Sequence, residues 1–217
     1  MTMRTPGHDV DLAVGFLLTE GVIDGLDDIR AVATVAENVV DAVLAEGVPR
    51  GRARLADRQL YASSSCGICG KASLDRVRQR VPARRGWVPG DEVMRAIGGA
   101  VGRMQPLFDS TGGCHAAALF ESSGHIIVTR EDVGRHNAVD KVIGAGVRED
   151  RDLRGLGLFT TSRAGFEIVQ KAAVAGLGAV VTVGAPTSLA VDAAGEWGLA
   201  LVGWARPGRW VVYSPAA

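Results

Sequence analysis

Two thiols stand close together in the first third of the sequence. Cys66 and Cys69 are separated by two residues and bracketed by serines and glycines, and Lys71 follows them. The pattern from Leu74 to Arg80 predicts a helix after this loop. A nearby cation and a helix N-terminus both favour the thiolate, which is the form of cysteine that attacks a sulfur atom. The segment therefore predicts a reactive, exposed pair of thiols.

Two other uses of the same spacing stay open. A zinc half-site has it, but zinc would need further ligands, which Cys114 with His115 or His136 would have to supply. A thioredoxin-like redox pair has it too, although the order of strands and helices around Cys66 does not match that unit. Only three cysteines occur in the 217 residues, so the sequence does not indicate a disulfide framework.

A second set of residues has the chemistry to bind an anion. Arg135 and His136 lie in the charged segment Glu131–Lys141, where a predicted strand turns into a predicted helix. A guanidinium beside a helix N-terminus is a common phosphate site. The alternative interpretation of this segment is a solvated, well-capped helix start. Arg163 ends another predicted strand, at the position where open α/β sheets usually bind ligands.

A third segment near the C-terminus combines an aromatic ring, guanidinium groups and flexible glycines. Such a set suits stacking on a purine and pairing with phosphates, and its alternative is an ordinary basic turn between two strands. The glycine-rich stretch Thr111–His115 is in turn either a plain turn or a phosphate-binding loop. The residues of the third segment are Gly203, Trp204, Ala205, Arg206, Pro207, Gly208 and Arg209.

The elements that must position these residues alternate between helix and strand in the second part of the chain, which predicts an α/β layered sheet. A smaller strand-rich unit precedes it, so we expect an α+β domain over residues 1–85 and an α/β domain over 86–217. The predicted helices are Asp9–Glu20, Asp91–Gln105, His136–Gly144, Phe166–Ala175 and Ser188–Glu196. The predicted strands are Ile29–Glu37, Val39–Ala45, Arg52–Ala62, Ala116–Glu121, His125–Arg130, Gly157–Thr161, Ala179–Val183, Leu199–Gly203 and Trp210–Tyr213.

The overall composition excludes some classes of partner. Lys plus Arg and Asp plus Glu both number 24, so net charge provides no long-range attraction to nucleic acid or to anionic lipid. The longest apolar runs fall well short of the roughly 20 residues that cross a bilayer. Residues Met1–Asp11 lack the features of a secretory signal. We therefore expect a cytoplasmic protein that binds neither membranes nor nucleic acid.

Taken together, these segments resemble the formate dehydrogenase accessory sulfurtransferase family (FdhD/NarQ), over the range from Arg4 to Tyr213. Many ordered matches carry the resemblance. They are Arg4–Gly7, Ala13–Ile23, Cys66–Lys71, Thr111–Ala118, Glu131–Lys141, Phe166–Lys171, Ala185–Val191 and Leu201–Tyr213.

The resemblance implies a sulfur relay. A cysteine desulfurase would hand sulfur to Cys66 as a persulfide, with Cys69 as the partner thiol. The sulfur would then pass to a molybdenum bis-guanine-dinucleotide cofactor, bound as a substrate, before the cofactor enters formate dehydrogenase. The guanine portion would contact Gly203–Gly208. The resemblance also implies a homodimer and no intrinsic metal.

The resemblance carries a fold expectation as well: a three-layer α/β/α sheet like that of cytidine deaminases, without their zinc. Deaminase chemistry is not indicated, because no His-x-Glu lies upstream and Ser65 precedes Cys66 where a deaminase has proline. Relatives usually carry a further strand-containing segment before Arg4–Gly7, so a truncated small domain is expected. Two other functions stay open: a chaperone that binds the cofactor without catalysis, and a zinc-stabilised interaction domain.

Overall fold

The computed structural model describes residues 2–49, 81 and 86–215. Its helices are α1 (Asp9–Thr19), α2 (Asp91–Gly102), α3 (Pro106–Thr111), α4 (Arg135–Arg148), α5 (Phe166–Val174) and α6 (Ser188–Glu196), with a short 3-10 helix at Leu26–Asp28. Its strands are β1 (Ile29–Ala36), β2 (Val39–Leu44), β3 (His115–Phe120), β4 (Ile126–Asp132), β5 (Gly157–Thr160), β6 (Ala179–Thr182), β7 (Ala200–Arg206) and β8 (Arg209–Ser214).

The described strands form two sheets. Strands β1 and β2 pair as an antiparallel hairpin, and the other described strands make a six-stranded sheet in the order β4-β3-β5-β6-β7-β8. Strands β5, β6 and β7 are parallel, whereas β3 is antiparallel to both of its neighbours and β8 is antiparallel to β7. It follows that β4 runs in the same direction as β5, β6 and β7, so these four strands end at one edge of the sheet.

The six-stranded sheet lies between two layers of helices. Its apolar residues alternate: Ala117, Leu119 and Leu158 pack with α1, α4, α5 and α6 on one face. Phe120 and Phe159 pack with α2 on the other face. Because helices cover both faces, strands such as β3 and β6 are apolar or small along almost their whole length. The expected three-layer α/β/α architecture is confirmed.

Helices α1 and α4 approach each other so closely that their backbones touch. A Cβ atom added at Gly15 would overlap the carbonyl oxygen of Asp140, and one added at Gly144 would overlap the carbonyl oxygen of Asp11. Beside this crossing, Lys171 on α5 pairs with Asp140 at 2.9 Å, and the Thr19 hydroxyl donates to the same carboxylate at 2.8 Å. Helix α1 is therefore part of the hydrophobic core on one face of the six-stranded sheet.

The sequence places most described elements within a few residues of their observed bounds, with some differences. Helix α4 continues to Arg148 instead of ending at Gly144, because Ala145 and Val147 are also buried. Strand β7 continues to Arg206, so Trp204 lies within a strand. The short helix α3 is not predicted. The division at residue 85 stays a prediction, as does the likeness to cytidine deaminases, and the predicted strand Arg52–Ala62 lies outside the described residues.

None of the helices in the described ranges has both the length and the apolar composition needed to span a membrane.

Candidate functional site

The candidate residues that the structure describes lie at one edge of the sheet. We call it the carboxyl edge: the ends of β4, β5, β6 and β7 together with the start of β3. Asp132 at the end of β4 pairs with His115 at the start of β3. Thr160 ends β5 opposite Ala117, and Thr182 ends β6 beside it. Helices α4, α5 and α6 follow β4, β5 and β6, so their N-termini also lie at this edge. Such edges are where open α/β sheets bind ligands.

Two neighbouring loops and the end of strand β7 are hydrogen-bonded to one another at this edge. The N–H of Gly184, after β6, donates to the carbonyl of Ser162, after β5, at 3.0 Å. The N–H of Trp204 on β7 donates to the carbonyl of Gly184 at 3.2 Å. Exposed Arg163 therefore lies one loop away from exposed Trp204. The sequence singled out both residues, and the structure brings them to the same place.

Two glycines make this close approach possible. A Cβ on Gly184 would lie 2.7 Å from Cγ of Arg163, and a Cβ on Gly203 would lie 2.8 Å from Cδ of Pro186. Both distances are shorter than non-bonded carbon atoms tolerate, so any larger residue would push the loops apart. Because neither glycine has a side chain, the aliphatic part of Arg163 and the backbone next to Trp204 can both lie against the loop that follows β6.

The indole of Trp204 is held with part of its surface open to solvent. Its ring N–H donates to the Tyr213 hydroxyl at 3.0 Å, and its backbone φ is 55°. Trp204 is 40% exposed, and Arg206, Pro207 and Gly208 beyond it are exposed too, while Ala205 is buried. An aromatic ring fixed in this way can stack on a planar ligand, and the guanidinium groups can pair with its phosphates.

A second group lies at the same edge, next to β4 and β3. Arg135 and His136 form the first turn of α4, and His115 begins β3. Burial lowers the pKa of His115, and the charge of Arg135 adds to that shift. The sequence placed His115 in a plain turn or a phosphate-binding loop, and the structure places it half-buried at the start of β3, beside the candidate site.

His136 is neutral at neutral pH. Its pKa is lowered to about 4, first by burial and then by the charges of Arg135, Lys171 and His115. Among the described residues its Nε2 atom is buried and has no hydrogen-bond partner. A buried nitrogen without a partner costs free energy, so this atom is suited to a hydrogen bond with a bound ligand.

The lowered pKa of His136 predicts a pH dependence of stability. Between about pH 4 and 6.5 the unfolded chain binds a proton on this imidazole and the folded chain does not, so stability rises with pH over that window. The free energy at stake is on the order of 1–3 kcal/mol. Urea unfolding at several pH values should show a flatter profile for His136→Gln than for the wild type. If the free energy of unfolding rose equally steeply with pH in both proteins, the lowered pKa of His136 would be contradicted.

A buried network supports the turn that carries Arg135 and His136. Asp132 pairs with Lys141 at 2.7 Å, and neither side chain is more than 1% exposed. Thr5, in the N-terminal segment, donates its N–H to Asp132 at 3.0 Å, and its carbonyl accepts from Lys141 at 2.9 Å. Sequence reasoning missed this role of Thr5, since nothing local links residues 127 positions apart. The abundance of charge in Glu131–Lys141 was the available signal.

The predicted thiol pair, Cys66 and Cys69, lies outside the described residues. Cys114 is described: it is partly buried, and its Sγ lies 3.8 Å from the Thr5 hydroxyl. Within the described ranges, no three His, Cys, Asp or Glu side chains are grouped so that they could hold a metal ion. The zinc alternative depends on Cys66 and Cys69 and stays open.

Comparison with known proteins gives one consistent family. A model of the FdhD/NarQ family matches residues 1–217. Sulfur carrier protein FdhD of Mycolicibacterium paratuberculosis is 44% identical over 230 residues, which cover 100% of this chain and 84% of that protein. Sulfur carrier protein FdhD of Streptomyces avermitilis is 44% identical over 232 residues, with 99% of this chain and 80% of that protein covered.

A solved structure agrees with the fold. The crystal structure of a candidate formate dehydrogenase accessory protein from Desulfotalea psychrophila superposes with a TM-score of 0.78. The match covers 98% of this chain and 80% of that one, at 22% sequence identity. At that identity the likeness concerns the fold alone.

Proposed function

Because this chain belongs to the FdhD/NarQ family, we propose that it is a sulfur carrier that serves formate dehydrogenase. The observation that carries the proposal is the family match over residues 1–217, together with close relatives named sulfur carrier protein FdhD. In finer terms, Cys66 takes sulfur from a cysteine desulfurase as a persulfide. The protein then delivers that sulfur to a molybdenum bis-guanine-dinucleotide cofactor, its bound substrate.

The loading step is a thiol exchange without net oxidation. The Cys66 thiolate attacks the outer sulfur of the desulfurase persulfide, so a new sulfur–sulfur bond forms on Cys66 and the donor's own sulfur–sulfur bond breaks. The donor cysteine leaves as a thiolate and takes up the proton that Cys66 lost. A thiol with a pKa near ambient pH is the favourable attacker in such a reaction.

Release requires an electron pair, which Cys69 can supply. Its thiolate attacks the inner sulfur of the Cys66 persulfide, and the outer sulfur leaves as hydrosulfide toward molybdenum. The two cysteines are thereby oxidised to a disulfide while the transferred sulfur is reduced. A cellular thiol reductant then restores both thiols for the next cycle.

The carboxyl edge is the proposed binding surface for the nucleotide part of this substrate. The partly exposed indole of Trp204 offers a stacking face for guanine, and Arg206 beside it offers a partner for phosphate. Arg163 lies one loop away, and Arg135 with the N-terminus of α4 extends the positive surface along the same edge. His136 contributes a neutral nitrogen, because its pKa is far below neutrality.

The proposed partners are a cysteine desulfurase as donor, formate dehydrogenase as client and a second copy of this chain. We place the reaction in the cytoplasm.

Intact-mass measurement tests the proposal directly. The full-length protein is incubated with a cysteine desulfurase and cysteine, and its mass is compared before and after treatment with a thiol reductant. We expect one added sulfur atom that reductant removes. The added sulfur should be absent from Cys66→Ala and retained by Cys114→Ser, which removes a thiol at the carboxyl edge. Cys69→Ala should still load. A wild-type protein that gains no sulfur would refute the carrier function.

A further inference from the structure

The buried carboxylate of Asp132 accepts four hydrogen bonds, which join three segments of the chain. One oxygen accepts from the backbone N–H of Thr5 at 3.0 Å and from Lys141 Nζ at 2.7 Å. The other accepts from the N–H of Gly134 at 2.9 Å and from Nδ2 of Asn137 at 3.1 Å. Each carboxylate oxygen therefore has two donors, which satisfies a charged group that is entirely buried.

Lys141 is equally well satisfied. Besides Asp132, its ammonium donates to the carbonyl of Thr5 at 2.9 Å and to the carbonyl of Glu131 at 3.3 Å. An ammonium has three N–H groups, and these three acceptors account for them. The Thr5 hydroxyl adds a further link by accepting from the N–H of Val133 at 2.9 Å. Fully satisfied buried networks of this kind hold the groups around them rigidly.

The network includes the residues that flank Arg135 and His136 in the candidate site. Gly134 is the residue immediately before α4, and Asn137 lies in its first turn. Asp132 is therefore hydrogen-bonded to the backbone N–H of Gly134 on one side of Arg135 and His136 and to the side-chain amide of Asn137 on the other. A Cβ on Gly134 would lie 3.0 Å from Nδ2 of Asn137, which shows how tightly this turn is packed. Movement of the turn would change where the guanidinium and the imidazole point.

We propose that Asp132 and Lys141 are positioning residues, and that with Thr5 they lock the Val133–Asn137 turn so that Arg135 and His136 face the nucleotide part of the substrate. This inference rests on the proposed function and assigns a role to groups that the proposed sulfur chemistry does not use. It also makes the order of the site depend on the N-terminal segment Arg4–Gly7, whose Thr5 closes the network.

Helix α4 offers a matched control. The buried carboxylate of this helix, Asp140, pairs with Lys171 at 2.9 Å and accepts from the Thr19 hydroxyl at 2.8 Å. Asp140 is about as buried as Asp132, but it faces α1 and α5 in the core and does not bond the first turn of α4. Asp132→Asn and Asp140→Asn therefore both remove a charge from a buried pair on or beside one helix, and only the first loosens the turn.

Calorimetric titration with guanosine diphosphate tests the inference on the full-length protein, at a temperature where thermal unfolding shows every variant to be folded. We expect Asp132→Asn to weaken binding by about tenfold and Asp140→Asn by less than about twofold. Thr5→Val, which loses only the hydroxyl, should weaken binding by about threefold, whereas Thr5→Ser, which keeps it, should bind as the wild type does.

Three results would overturn the inference. Equal affinities for Asp132→Asn and Asp140→Asn would mean that the pair only stabilises the fold. Equal affinities for Thr5→Val and Thr5→Ser would mean that the bond between the Thr5 hydroxyl and the Val133 N–H does not position the turn. A wild-type protein that does not bind the nucleotide would end both this inference and the proposed nucleotide surface. Sulfur loading of Cys66 is measured separately, so a failure of the carrier function remains distinguishable from a failure of positioning.

Discussion

Formate dehydrogenase activity is expected to fall to background in cells whose copy of this protein carries Cys66→Ala. Under the proposed function the persulfide forms on Cys66, and neither Cys69 nor Cys114 occupies the same position in the sequence. Removing a covalent nucleophile typically costs several orders of magnitude in rate. The measurement is complementation of a strain lacking its own sulfur carrier, with formate oxidation assayed in extracts.

The matched variants decide between a carrier and a binding protein. Cys114→Ser, a thiol replacement elsewhere in the chain, should leave formate oxidation close to the wild-type level. Arg206→Ala should lower it through weaker binding of the cofactor. If Cys66→Ala still supported formate oxidation while Arg206→Ala did not, the protein would act as a cofactor-binding chaperone and the dithiol would be dispensable.

Gly15→Ala is expected to lower the free energy of unfolding strongly, although it adds only one methyl group. A Cβ at Gly15 would overlap the Asp140 carbonyl oxygen on α4, and backbone cannot swing aside as a flexible side chain can. Overpacking of a core costs about 1–3 kcal/mol, and a contact between two backbones belongs at or above the upper end. Urea unfolding measured by circular dichroism gives the free energy of unfolding of each variant.

Gly99→Ala is the control, because it is the same substitution within helix α2. There a Cβ would meet only the end of the Arg103 side chain, at 3.7 Å. Alanine is the better helix former, so this change should raise the free energy of unfolding by about 0.5–1 kcal/mol. Equal unfolding midpoints for Gly15→Ala and Gly99→Ala would mean that α1 and α4 do not cross where the structure places them.

The layered architecture could be predicted because it follows from local patterns. Alternation of apolar strands with amphipathic helices predicts a parallel sheet covered on both faces, and each strand end then points its loop to the same edge. That reasoning placed Arg163 at the ligand-binding end of its strand, whereas the proximity of Trp204 comes from the structure. The start of α6 also agrees with the prediction: the Thr187 side chain accepts a hydrogen bond from the N–H of Ala190, directly before the predicted helix.

Features built from distant segments could not be predicted in this way. Helix α3 is six residues long, and its first turn depends on Glu131, whose carboxylate accepts the N–H groups of Leu107 and Phe108 at 2.9 and 2.8 Å. The local sequence around α3 cannot indicate a cap that is supplied by a residue of strand β4. The link from Thr5 to Asp132 and Lys141 has the same character. The roles of Cys66 and Cys69 stay predictions, since both lie outside the described residues.

The backbone of Trp204 adopts a left-handed conformation that is unfavourable for a large side chain. A φ of 55° is a conformation that glycine adopts freely and that bulky residues avoid, at a cost of about 1 kcal/mol or somewhat more. The chain bears this conformational strain in a β-strand next to Gly203, where a second glycine would relieve it. The stacking on guanine that we propose would use this indole, and the protein would then hold it in place at a cost in stability.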